Sequence, residues 1–313
     1  MSSKILVGYD GSDRGRDALA LARLLADRTN GELVVACVYP FEPLSSRIGS
    51  PDFGSLSHED ALATVCCDDP LLEGVPESHR RAVAAQSPAH GLHLLAEDED
   101  ADLVVLGSTH RGALGRVMPG SVGERLLHGA PCSVALAPRG FGASDAATLA
   151  RIGVAVDGSP ESKVALLAAY GLASDLSGGI RVITVIEWVA TVAPTFGGPR
   201  RSYESLLEEL REARSAAHEQ ALSEAPPGVS AEGLLLEGDV VSLLCEQSAT
   251  IDLLVLGARG YGPLRHVLMG GVSSAVTRGA HCPVLVVPRG VSEPFGATAA
   301  VSAQRTPLSE ARP

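Results

Sequence analysis

Lysine is almost missing from this chain. Among 313 residues it stands only at Lys4 and Lys163, and arginine supplies the rest of a positive charge that is outnumbered, 25 Lys+Arg against 37 Asp+Glu. The net charge of −12 leaves few cations to neutralise a phosphate backbone, which argues against non-specific nucleic-acid binding. No apolar stretch approaches the length of a membrane span. The opening MSSKILVGYDGS runs straight into an apolar strand and carries no signal peptide, so a cytoplasmic protein is expected. The cysteines, Cys37, Cys66, Cys67, Cys132, Cys245 and Cys282, never take the paired spacing of a zinc site, and no metal is expected. They read as small hydrophobes in a reducing compartment, and nothing in the sequence around Cys66–Cys67 marks that pair as redox-active. Two phosphate-binding signatures are also missing. There is no Gly-Lys-Ser/Thr of a Walker loop, and no glycine fingerprint follows the first strand.

What is present is present twice. Residues 102–140, DLVVLGSTHRGALGRVMPGSVGERLLHGAPCSVALAPRG, return at an offset of 150 as DLLVLGARGYGPLRHVLMGGVSSAVTRGAHCPVLVVPRG. VGYDGS (7–12) returns as VAVDGS (154–159) at an offset of 147. A repeat unit of roughly 140 residues is the size of a complete domain rather than a solenoid repeat. The chain therefore divides into a first domain at 1–140, a linker at 140–150, a second domain at 150–290 and a polar, proline-containing tail at 291–313, expected to be disordered.

Each half alternates short apolar runs with helical periodicity. In the first, strands are expected at 5–10, 32–39, 81–85, 103–107 and 133–137. Helices are expected at 13–29, 57–67, from Ser87-Pro88 to about Asp100, and at 121–128, with a loop at 41–56. The second half places strands at 152–156, 180–186, 233–236, 253–256 and 284–287. Helices open at Ser159-Pro160 and Asp239, and a longer charged helix covers 201–224. Strands apolar along their whole length belong to a parallel sheet covered on both faces, so each half is a doubly wound α/β unit. Such sheets bind ligands beyond the carboxyl ends of their strands, where Asp10, Asp157 and two glycine loops fall.

The second loop reads Gly257-Ala258-Arg259-Gly260, then nine residues, then Gly270-Gly271-Val272-Ser273. Glycines let backbone approach a phosphate, and a helix start presents free N–H groups to an anion. Asp10 and Asp157 also read as helix caps; their recurrence at the edge of the first strand favours a binding role. Ser12 and Ser159 read as caps rather than nucleophiles. His90 and His93, three apart on a predicted helix, read as surface histidines rather than a metal pair.

This combination resembles the universal stress protein family, with two such domains in tandem, over nearly all of residues 1–290. The resemblance implies five-stranded sheets of order 3-2-1-4-5 whose last strands, 132–138 and 282–288, pair about a pseudo-two-fold axis to give an intramolecular pseudo-dimer. It implies an ATP-binding stress-response protein that works as a nucleotide-dependent switch or scaffold. Mg²⁺ is a possible companion of the ATP, with AMP or cyclic AMP as alternative ligands. It also leaves open a nucleotide-free interaction module, and further homodimerisation. No dedicated catalysis is expected beyond slow ATP hydrolysis, since no general base or carboxylate pair flanks the loops. Carried over by position, the first site comprises Asp10, Val38, Gly107, Gly120, Ser121 and Val122. The second comprises Asp157, Val185, Gly257, Arg259, Gly260, Gly270, Gly271, Val272 and Ser273. Both depart from the pattern. His110 replaces the second loop glycine in the first copy, and Gly271 replaces a phosphate-contacting hydroxyl in the second, at about 0.5–1.5 kcal/mol for one hydrogen bond. Both sites are expected to bind, the second more nearly in the family geometry.

Overall fold

A computed structural model describes residues 2–41, 55–109, 114–143, 148–187, 200–258, 270–291 and 293–297, the side chains of 200–207 excepted. The first half runs β1 (Lys4–Gly8), α1 (Asp13–Thr29), β2 (Glu32–Pro40), α2 (His58–Val65), β3 (Arg80–Ala85), α3 (Pro88–Asp98), β4 (Leu103–Gly107), α4 (Ser121–Leu127) and β5 (Ser133–Ala137). The second runs β6 (Arg151–Ala155), α5 (Pro160–Asp175), β7 (Gly179–Glu187), α6 (Arg200–Ser223), β8 (Ser230–Gly238), α7 (Val240–Gln247), β9 (Leu253–Gly257), α8 (Gly271–Thr277) and β10 (Val284–Val287).

All these strands join one ten-stranded sheet in the order β3-β2-β1-β4-β5-β10-β9-β6-β7-β8. Within each half every pairing is parallel. The halves meet where β5 and β10 pair antiparallel, with Leu136, Ala135 and Val134 opposite Val284, Leu285 and Val286. The central strands are buried along nearly their whole length, as sheets covered on both faces require. Alternate residues feed two cores. One lies under α1, α2, α5 and α6 and runs continuously from Ile5 and Val105 through Ala135 and Leu285 to Val255 and Ile152. The other lies under α3, α4, α7 and α8.

Local chemistry sets the helix starts. Ser12, Ser57, Ser87, Ser159 and Asp239 each accept a backbone N–H from their own helix, the expected N-cap arrangement.

Two segments differ from the sequence reading. The linker is not free after β5. Residues 141–143 form a short 3₁₀ turn, and buried Asp17 of α1 accepts the N–H groups of Gly140 and Gly142, both at 2.8 Å. The tail is not disordered from 291, because Phe295 is only 1% exposed. Gly296 there lies so near Gly171 of α5 that a Cβ on Gly171 would meet its carbonyl oxygen at 1.6 Å. Each half thus sends the chain leaving its last strand back over its own first helix. Burying an aromatic ring outweighs the polar character of the surrounding tail.

Candidate functional site

β1 and β6 end in the same Asp-Gly-Ser turn. Its glycine is left-handed in both copies, φ +73° at Gly11 and +79° at Gly158, a conformation costly for other residues. The turn directs each aspartate inward onto its own serine. Asp10 Oδ1 accepts the hydroxyl of Ser12 and, at 3.2 Å, its N–H. Asp157 Oδ1 accepts the hydroxyl and N–H of Ser159 at 2.5 and 2.9 Å. The serines are therefore the helix caps, and the aspartates orient them.

The second carboxylate oxygen is where the copies part. In the first, Arg14 grips Asp10 Oδ2 with Nε at 3.0 Å and Nη2 at 2.8 Å. Burial pushes the Asp10 carboxyl up, but the Ser12 hydrogen bond and the Arg14 charge outweigh it and hold it below its usual range. In the second copy the matching helix position is Glu161, which pairs with Arg289 at 3.5 Å. A cation reaches Asp157 from elsewhere. Arg214 of α6 donates to the Asp157 carbonyl and stands 3.8 Å from Oδ2. Sequence reasoning missed both arginines. Arg14 was legible as an i,i+4 partner, whereas Arg214, 57 residues from Asp157, gave no local signal.

Gly107 and Gly257 end β4 and β9 against the first turns of α1 and α5. A Cβ at Gly107 would meet Arg14 O at 2.0 Å, and one at Gly257 would meet Glu161 O at 2.5 Å. Close backbone approach accounts for glycine here, and the same approach brings strand four beside the Asp-Gly-Ser turn. Gly120 and Gly270 are the N-caps of α4 and α8. Neither carries a side-chain cap hydrogen bond, in contrast to the five capped helices above. Among the described residues, a Cβ at Gly271 meets nothing within 4 Å, and one at Gly120 meets only Thr109 at 3.8 Å.

The remaining residues of the pattern are distributed as follows. Ser121 and Val272 are exposed on the first turns of α4 and α8, and Val122 is half-buried. Ser273 is buried, and its hydroxyl donates to Gly257 O at 2.9 Å, which ties α8 to β9. Val38 and Val185 take equivalent places on β2 and β7, each 8% exposed, and Val38 packs against Gly91 of α3. Arg259 and Gly260, with His110, lie outside the described residues. His90 and His93 flank a shallow surface hollow with Ser87 and Arg125, and His93 pairs with Glu97 at 3.6 Å. Among the described residues no cluster of His, Cys, Asp and Glu is set to hold a metal, and no helix is long and apolar enough to cross a membrane.

The segment between β4 and α4 is also tied to the other half. Ser108 accepts Met118 N–H at 3.1 Å, Thr109 N–H donates to Met118 O at 2.8 Å, and Val117 N–H donates to Ala280 O at 2.8 Å, just beyond α8. Val117 is fully buried.

Comparison with known proteins gives one consistent answer. The model of the universal stress protein family matches residues 1–138 and again 148–288. A universal stress protein of Mycobacterium tuberculosis is 34% identical over 187 residues, which span 60% of this chain and 62% of that protein's length. A second from the same organism is 26% identical over 295 residues, 91% of this chain and 99% of that one. A crystal structure of a candidate universal stress protein from Pseudomonas aeruginosa superposes with a TM-score of 0.63 at 18% identity, covering 97% of both chains, and so shares the fold.

Proposed function

The chain belongs to the universal stress protein family, as two tandem domains, and from that premise we propose that it is an adenine-nucleotide-binding stress-response protein, a switch or scaffold rather than a dedicated catalyst. One observation carries the reading. At the carboxyl edge of each half of the sheet, an acidic turn, a close-packed glycine and a helix whose N–H groups lack a side-chain cap stand together, twice, in the same order. An anion at Gly120 or Gly270 would meet a helix N-terminus. The aspartate would offer acceptor oxygens to a nucleoside, with Val38 and Val185 in the adjoining strand. ATP is the proposed ligand, with or without Mg²⁺, and AMP or cyclic AMP would use the same contacts. Phosphate contacts fall to the N–H groups at Gly120, Ser121 and Val122 and at Gly270, Gly271 and Val272.

The second site is the stronger of the two in this reading. Asp10 is held bidentately by its own Arg14, so a nucleoside must compete with a charge-assisted pair. At Asp157, Arg214 stands 3.8 Å from Oδ2, a longer contact than either that Arg14 makes.

Calorimetric titration of nucleotide-stripped protein with ATP and Mg²⁺ tests this, beside Gly120→Asp and Gly271→Asp. Among the described residues a Cβ at either position meets no contact closer than 3.8 Å, so these variants add negative charge before the helix. Gly271→Asp is expected to weaken the tighter binding at least tenfold, about 1.4 kcal/mol, and Gly120→Asp the weaker. Unchanged binding in both variants would remove the nucleotide from these loops. No binding by the parent protein would leave the interaction-module reading.

A further inference from the structure

The six cysteines are all free, and the structure separates them sharply. Cys37, Cys132 and Cys282 are buried and Cys245 is partly so, whereas Cys66 and Cys67 are exposed. Burial pushes the Cys37 and Cys132 thiols up to about 12 and raises those of Cys282 and Cys245 as well, which suppresses their thiolates. The accessible thiols are thus the two that are adjacent in sequence.

Their position is fixed on both sides. Cys66 caps α2, its N–H donating to Leu62 O at 2.9 Å. Two residues after Cys67, buried Asp69 accepts Leu71 N–H and the Tyr9 hydroxyl, each at 3.0 Å, and pairs with Arg16 at 3.0 Å. Cys67 Sγ lies 3.8 Å from the same Tyr9 hydroxyl. The dithiol therefore stands on an anchored turn beside the end of β1, with little chain entropy left to lose on closing a ring through both sulfurs. No third His, Cys, Asp or Glu joins the pair among the described residues. That does not serve zinc, which takes four ligands, and suits a soft acceptor that needs only two thiolates.

We propose that Cys66 and Cys67 form a vicinal dithiol site for a thiophilic trivalent metalloid of the organoarsenic(III) class. Binding is a ligand exchange. With an oxo reagent R–As=O two As–S bonds form, the arsenic–oxygen double bond breaks, that one oxygen leaves with the two thiol protons as one water, and arsenic stays trivalent with no electron transferred. The site is independent of the nucleotide reading.

Full-length protein treated with phenylarsine oxide in excess 2-mercaptoethanol, which strips adducts held by one thiol, and analysed by intact-mass spectrometry tests the proposal. One adduct per chain is expected, lost in Cys66→Ser and in Cys67→Ser and retained in Cys245→Ser. Both serine variants lie on the surface. Thermal unfolding of each serine variant beside the parent shows that the adduct is read from folded protein; an adduct lost only together with the folded transition would overturn the proposal. No adduct on the parent protein, an adduct that survives either serine substitution, or one that depends on Cys245 would overturn the proposal.

Discussion

Asp17 carries more structural weight than its place on α1 announces. A nearly buried carboxylate accepting two backbone N–H groups from the segment after β5 is worth more than an ordinary pair, because each bond has a charged acceptor. Asp17→Ala should lower stability by about 2–3 kcal/mol, read by denaturant unfolding, and should increase proteolysis near 140–143. Asp69 gives a pH prediction. Burial pushes its carboxyl up, yet the Leu71 N–H, the Tyr9 hydroxyl and the Arg16 charge together hold it below the usual range. A depressed carboxyl contributes stability above its unfolded pKa, about 3.9, and that contribution is lost as pH falls through the folded value. Asp69→Asn should be less stable than the parent at pH 7 and should flatten the loss below pH 4, measured as Tm against pH. His218 runs the other way. Burial holds the pKa of its ring, 2.9 Å from Thr184 Oγ1 on β7, below the ordinary imidazole value. A depressed histidine costs stability as pH falls below about 6.5, so acidification from pH 7 to 5 should destabilise the parent more than His218→Gln.

At the scale of elements, the closely packed contacts are those of strand ends on helix starts and of the returning tail on α5. Gly107→Ala would drive a methyl into the Arg14 carbonyl and should displace the first turn of α1. Its expected signature is lost stability together with loss of first-site binding, unlike Gly120→Asp, which should affect binding alone. Phe295→Ala should cost about 3–5 kcal/mol, as for other fully buried aromatics, although residues beyond 290 fall outside both repeat copies. These elements were unevenly legible. Strands and capped helices follow from apolar runs and serine caps, because both signals are local. β8 spans Ser230–Gly238, well past the 233–236 its apolar core announces. Its extra length comes from pairing with β7 over nine positions, and pairing is not a property of one segment.

For the whole molecule the decisive feature is the β5–β10 seam. It turns two parallel sheets into one and makes both cores continuous across the halves. Unfolding should therefore be a single cooperative transition by calorimetry, and Leu285→Ala at the seam should lower its midpoint as a whole, at about 2–5 kcal/mol. Two separated transitions would mean that the halves fold independently. Glu124 and Arg278 also bridge the halves at 3.1 Å, but both are about half exposed. Their coupling in a double-mutant cycle should stay below about 1 kcal/mol.

The sequence by itself determined the duplication, the α/β class, most strands and caps, and the placing of Asp10, Asp157 and the glycines at one edge of each sheet. Repetition, hydrophobic period and capping chemistry are all written in neighbouring residues or at a fixed offset. Tertiary structure alone decided that Arg214 meets Asp157, that Gly107 and Gly257 are required by backbone contact with a helix, that Phe295 belongs to the core, and that the accessible pair of thiols sits beside Tyr9. Each of those joins residues far apart in the chain, and their interaction energy exists only once the sheet has brought them within reach.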